Sequence, residues 1–267
     1  MNLNRRSALA ALAGLSLAPA MPGLVRAQEQ VPTPVLPTPP AGTDRIAMLL
    51  YPGMTALDLV GPYHFLASMP GTHVDLVTVG SDLSPVPSDL GMALQPTATF
   101  ETCPEDLALL FVPGGTMGTL AAARDPSTIA FIRDRASRAR YVTSVCTGSL
   151  VLGAAGVLRG KKATSHWITR DLLTQFDAIP TAGRVVRDGN VITGAGVSAG
   201  LDFGCTLVAE MRGMMDAEAI LLVSEYDPDP PFPGGSPETA RPEIVDMISM
   251  GLAPFVEEAR TLRILGA

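Results

Sequence analysis

Three side chains in this sequence have types and surroundings suited to covalent or proton-transfer chemistry: Cys146, Asp58 and His166. Cys146 stands where the apolar run Tyr141-Val142-Thr143-Ser144-Val145 meets a stretch of small residues beginning Thr147-Gly148-Ser149. A side chain at such a strand-to-helix junction sits on a tight turn, surrounded by backbone N–H groups that the first helical turn leaves free. Those groups and the helix dipole favour a thiolate and can hold developing negative charge, so the position suits a nucleophile on an elbow. The same residue also reads as a small buried apolar side chain, the commonest fate of a cysteine.

Asp58 lies in Ala56-Leu57-Asp58-Leu59-Val60-Gly61-Pro62, in or near the first helical turn after the apolar strand Arg45 to Tyr51. There it is either an acid serving a site or an ordinary dipole-favoured carboxylate. The run Phe111-Val112-Pro113-Gly114-Gly115 ends another apolar strand, and its two glycines let the chain turn sharply and bring an N–H close to a ligand. His166, twenty residues after Cys146, is placed to stabilise an ionised thiol, or to cap a helix or pack beside Trp167. His64 and His73 have no comparable surroundings and read as structural.

The elements that must position these residues follow from periodicity. Strands are expected over Arg45 to Tyr51, His73 to Val79, Leu107 to Pro113 and Ala139 to Val145, with an extended segment from Leu94 to Phe100. Helices are expected over Ala56 to Met69, Pro126 to Ala139 and Ile168 to Phe176, then Ser198 to Tyr226 with a break near Gly213, and finally Pro242 to Arg263. Gly160 to Ser165 reads as a short strand, and Arg184 to Thr193 as a hairpin turning at Asp188-Gly189. Strands alternating with helices indicate a doubly wound α/β fold: a mostly parallel sheet flanked by helices, carrying an elbow and a late β-hairpin. In such folds, sites form at the carboxyl ends of strands, where Asp58, Gly114 and Cys146 all fall.

Residues 1–27 read as an export signal: Arg5-Arg6, then an apolar, small-residue stretch from Ser7 to Leu24, then Val25-Arg26-Ala27. The paired arginines and the weakly apolar core favour the twin-arginine route and a periplasmic destination. That core is short for a membrane span and broken by Pro19 and Pro22, which argues against a stable membrane anchor. Residues 28–43 are proline-rich and read as an extended linker, leaving 44–267 as a single α/β domain.

Removing the signal subtracts three arginines and no acids, which takes the net charge from −7 to −10. An acidic chain without a basic run has no electrostatic footprint for nucleic acid. Cys103, Cys146 and Cys205 are an odd number, so at least one thiol is unpaired, and their spacing matches neither a disulfide framework nor a metal site. No motif for a metal, nucleotide or redox cofactor is visible.

The stretches Arg140 to Gly156, Ala163-Thr164-Ser165-His166-Trp167, Leu57 to Pro62, Val112-Pro113-Gly114-Gly115, Arg184 to Asn190 and Pro230-Pro231-Phe232 resemble the ThiJ/PfpI superfamily, and within it the isonitrile hydratase branch. The resemblance implies a flavodoxin-like fold, a homodimer, no cofactor, a small-molecule substrate as the partner, and cysteine-dependent hydration of an isonitrile to an N-substituted formamide. It implies Cys146 as the nucleophile and Asp58 as the acid beside it. It further implies that the N–H groups of Thr147 and of Gly114 or Gly115 cradle the intermediate, with Thr147 also touching substrate. The protease-like branch has a histidine directly after its cysteine; Thr147 stands there instead, which argues against peptidase activity. Two other readings stay open at this level: a ligand-sensing domain without chemistry, and a thiol redox or carbonyl-stress protein. Regulators of the superfamily append a DNA-binding module, whereas only about forty proline-rich residues follow Tyr226.

Overall fold

Strand β1 (Asp44–Leu50) is the spine of the molecule, and its last five residues, Ile46 to Leu50, are completely buried. A strand apolar on both faces is stable only between neighbours on both edges and helices on both sides, which is how parallel sheets are built. The computed structural model describes residues 44–266. The expected export signal (1–27) and proline-rich linker (28–43) lie outside the described residues.

Beside β1 run β2 (Thr72–Thr78) and the four-residue β6 (Leu109–Val112), both parallel to it. Two further pairs, β3 (Val86–Pro87) with β4 (Ala93–Leu94) and β8 (Lys162–Ala163) with β9 (Ile179–Pro180), form separate two-stranded ladders. With β5 (Ala98–Thr99), β7 (Tyr141–Val145), β10 (Val185–Asp188) and β11 (Val191–Gly194), the main sheet has seven strands in the order β10-β11-β7-β6-β1-β2-β5. Only β10 runs antiparallel, as the outer arm of the expected hairpin. The chain winds outward from β1 through β2 to β5, then crosses back to β6 and builds the other half. Strand order therefore reverses between β1 and β6, and a doubly wound sheet opens a crevice at such a point.

The helices are α1 (Ala56–Ser68), α2 (Met117–Arg124), α3 (Pro126–Ala136), α4 (Gly148–Ala154), α5 (Ala199–Arg212), α6 (Met214–Ser224) and α7 (Pro242–Arg260). Close approach between α1 and α5 depends on small residues. A Cβ on Gly204 would come within 2.8 Å of the Phe65 ring, and one on Gly200 within 3.2 Å of Pro62. This contact fixes the roll of α1, the helix that carries Asp58.

Local differences from the sequence expectation have physical causes. The eight-residue α2 has no counterpart there, because Gly118 in its first turn weakens the pattern. That glycine is required: a Cβ on it would lie 2.3 Å from the Pro52 carbonyl oxygen. Residues Arg170–Phe176 form a 3-10 helix rather than an α-helix, and two turns of sequence do not separate the two periods. The extended Leu94 to Phe100 segment divides around Pro96, which has no N–H for a ladder, into β4 and β5. The hairpin turn sits one residue later than expected: Asp188 still pairs with Val191, so Gly189-Asn190 turn, with Gly189 at φ 64°. The break in the long helical pattern falls at Gly213, whose φ is 91°.

Candidate active site

Cys146 occupies a left-handed backbone conformation with φ 57°, directly after β7 and two residues before α4. A non-glycine residue there costs about 1 to 3 kcal/mol, so neighbouring structure must impose it. Both ends of the residue are held. Its N–H donates to the carbonyls of Gly194 (3.0 Å) and Ala195 (2.8 Å). Its own carbonyl accepts from the hydroxyls of Ser149 and Ser165, each at 3.1 Å. The turn is also tight enough to need Gly148, where a Cβ would fall 2.3 Å from the Val112 carbonyl oxygen. The chain thus forms the elbow that the small residues after Val145 indicate.

Asp58 comes from α1 and is completely buried. Oδ2 accepts the Gly114 N–H at 2.9 Å, while Oδ1 is buried without a hydrogen-bond partner, and the Cys146 thiol is the neighbouring side chain that favours the carboxylate. Burial is the main cause of the rise in its pKa to about 7, and the Gly114 N–H and the thiol oppose that rise. Asp89, from the β3–β4 hairpin, adds a smaller upward push. A buried carboxyl that titrates near neutral pH is suited to accepting and returning a proton.

The thiol itself corrects one expectation. Cys146 is buried, and burial together with the neighbouring Asp58 raises its pKa well above the ordinary thiol value. The N–H groups of Thr147 and Val197 pull it down, but by less. The resting nucleophile is therefore a thiol with its base beside it rather than a standing thiolate. Desolvation outweighs the dipole of a seven-residue helix here.

The expected cradle is also arranged differently. The Gly114 N–H is committed to Asp58, and the Gly115 N–H donates to Thr147 Oγ1 at 2.9 Å, so neither is free for an intermediate. The Thr147 hydroxyl in turn donates to the Gly115 carbonyl at 2.7 Å and contacts Thr119 Oγ1 at 3.0 Å. With its side chain buried and engaged in these bonds, Thr147 anchors the turn. Gly114 has no room for a Cβ, which would stand 2.6 Å from the Thr147 nitrogen and 2.7 Å from Asp58 Oδ2.

His166 is half-buried, and burial lowers its pKa. Its ring lies against Gly196, where an added Cβ would be 2.9 Å from Cδ2, and tilts toward Trp167 with ring centroids 5.7 Å apart. The groups that dominate Cys146 ionisation are Asp58 and the N–H groups of Thr147 and Val197, and His166 is not among them. Its neighbour Ser165 holds the elbow through the Cys146 backbone carbonyl rather than through the thiol.

Val197, Ser165, Tyr51 and Thr119 were missed in the sequence. The first acts through its backbone, and the others are hydroxyls whose partners lie far away in the chain. Cys103, Cys146 and Cys205 are all free thiols. Among the described residues, no group of three or more His, Cys, Asp or Glu side chains is placed to hold a metal ion.

This geometry can be set beside known proteins. An isonitrile hydratase from Pseudomonas putida is 52% identical over 213 residues, covering 80% of this chain and 92% of its own. The crystal structure of a ThiJ/PfpI family protein from Pseudomonas syringae superposes with a TM-score of 0.81 at 54% identity, covering 91% of this chain and 97% of that one. Oxidized Toxoplasma gondii DJ-1 shares the fold, with a TM-score of 0.63 at 18% identity over 70% of this chain and all of its own. Residues 44–210 match the DJ-1/PfpI family, and with that span and these likenesses the chain belongs to it.

Proposed function

We propose that this protein is a hydro-lyase that adds water to an isonitrile, using Cys146 as nucleophile and Asp58 as the group that moves protons. The observation that carries this reading is the buried pair itself: one thiol and one carboxyl that titrates near neutrality, each close enough to shift the other's ionisation, with no histidine acting on the thiol. The 52% identity to an isonitrile hydratase supports the same chemistry.

The steps follow from the proton inventory. Asp58, as a carboxylate, takes the Cys146 proton, and the thiolate is held by the N–H groups of Thr147 and Val197. Sulfur bonds to the terminal carbon of R–N≡C while that carbon takes the proton from Asp58, giving the thioimidate R–N=CH–S. Water then adds across C=N, oxygen to carbon, with a proton relayed by Asp58 to nitrogen. The C–S bond breaks, the remaining hydroxyl proton returns through Asp58 to sulfur, and R–NH–CHO leaves. The oxygen and one proton of water end in the formamide, the other proton replaces the one Cys146 gave to carbon, and the pair regains its starting state.

Burial of the thiol and its raised pKa work against the redox reading, because oxidation favours exposed thiolates. The site is proposed to act outside the cytoplasm, supported by Arg5-Arg6 and the following small-residue stretch. A homodimer is also proposed, supported by the exposed Leu57, Val60 and Tyr63 on α1.

The test is formamide formation by the purified protein, followed by NMR over a panel of isonitriles. Cys146→Ala is expected to abolish turnover, and Asp58→Asn to lower it by about 10²- to 10⁴-fold while keeping the fold. Full activity in Cys146→Ala would sink the mechanism.

A further inference from the structure

The turn that holds Asp58 is itself held by residues outside the catalytic pair. We propose that Tyr51 and Thr119 are positioning residues for this chemistry: with Thr147 they lock the Pro113-Gly114-Gly115 turn and so aim the Gly114 N–H at Asp58. The proposal rests on the reading that Asp58 and Cys146 form the reacting pair.

Every backbone polar group of the turn has a partner. The Pro113 carbonyl accepts the Tyr51 hydroxyl at 2.6 Å, and the Gly115 carbonyl accepts the Thr147 hydroxyl at 2.7 Å. The Gly115 N–H returns to Thr147 Oγ1 at 2.9 Å, and the Gly114 carbonyl accepts the N–H of Thr55, the residue preceding α1, at 2.9 Å. The only other N–H, that of Gly114, meets Asp58 Oδ2. Both ends of the hydroxyl chain therefore terminate on carbonyls, which accept only, and this fixes the protons of Tyr51 and Thr147.

Thr119 lies between them, 3.1 Å from Tyr51 and 3.0 Å from Thr147. Both neighbours spend their proton on a carbonyl, so Thr119 donates its one proton to one of them and packs against the other without a shared proton. Tyr51, Thr119 and Thr147 are all at most 2% exposed, so water cannot replace a lost partner. Tyr51 is also neutral, since burial raises its pKa, and so remains a donor.

The consequence can be read in the pH response of the site. Asp58 is faced by Cys146 from the elbow, by Tyr51 from the end of β1 and by Asp89 from the β3–β4 hairpin. The first two are neutral at rest and Asp89 is an acid, so the Gly114 N–H is the chief influence favouring the carboxylate. Loosening the turn weakens that bond and moves Asp58 further up.

The experiment measures two pH profiles on the full-length protein: kcat/KM for an isonitrile, and the rate of iodoacetamide alkylation at Cys146, followed by peptide mass spectrometry. Tyr51→Phe and Thr119→Val are expected to move the lower inflection of both profiles upward by about 0.5 to 1 pH unit. Activity then falls about 3- to 10-fold at pH 6 and approaches the wild-type value at pH 9. Thr119→Ser, which keeps the hydroxyl, is expected to retain the wild-type inflection. An unmoved inflection in folded variants, or an equal shift in Thr119→Ser and Thr119→Val, would overturn the proposal. The two Thr119 variants decide the matter if Tyr51→Phe does not fold. The alkylation profile needs no isonitrile, so failure of the proposed reaction is seen separately, as wild-type protein without turnover.

Discussion

Asp58 is the residue on which reactivity and stability oppose one another. Its carboxyl titrates near 7 in the fold against an ordinary value of 3.8, mainly because it is buried. The native state therefore holds this proton more tightly than the unfolded chain, and its contribution to stability is present at low pH and lost as pH rises from about 4 through 7. Ionised Asp58 costs on the order of 2 to 4 kcal/mol. Asp58→Asn is accordingly expected to match the wild type in thermal melts at pH 4 and to melt about 5 to 10 °C higher at pH 8.5. A constant difference across pH would show that burial is not what raises this group. The same ionisation is required for activity, because only the carboxylate can take the thiol proton. Turnover should rise through about pH 7, where this contribution to stability is running out. Cys146 and Asp58 were both legible as candidates from residue type and position. The protonation state of the thiol was not, because it depends on how deeply the pair is buried.

At the scale of elements, the site is three strand ends joined by turns with no spare room. β1 leads to Tyr51 and α1, β6 to the Pro113–Gly115 turn, and β7 to the Cys146 elbow. The glycines at these ends were readable as turn residues, but their tolerance depends on carbonyls brought from elsewhere. Gly148 is the sharpest case, with the carbonyl oxygens of Val112 and Pro113 at 2.3 and 2.7 Å from its would-be Cβ. Gly148→Ala is expected to destabilise the protein by about 1 to 3 kcal/mol in denaturant unfolding and to depress turnover, since the displaced strand end carries the Gly114 turn. Loss of stability with unchanged turnover would separate the elbow from that turn. Periodicity made most strands and helices legible to within a few residues. It passed over α2, where a glycine interrupts an eight-residue helix, and placed the hairpin turn one residue early.

In the molecule as a whole, strand order reverses between β1 and β6, with Asp58 and Gly114 just beyond the ends of these two strands and Cys146 at the end of the next, β7. The acidic chain and the expected export route give a prediction at this scale: replacing Arg5-Arg6 with lysines should retain the protein in the cytoplasm on fractionation, with the catalytic domain unaffected. Secretion of the doubly substituted protein at wild-type levels would remove the twin-arginine proposal. By itself the sequence indicated the α/β class and the elbow, because strand and helix periods and glycine placement are local properties, and it offered the thiol and the carboxyl as candidates whose roles the family resemblance implied. Only the tertiary structure decided that the Gly114 and Gly115 N–H groups are taken, that the Thr147 hydroxyl anchors the turn, and that Ser165 holds the Cys146 carbonyl. Those outcomes depend on hydrogen bonds between segments 19 to 68 residues apart and on burial, neither of which a local pattern encodes.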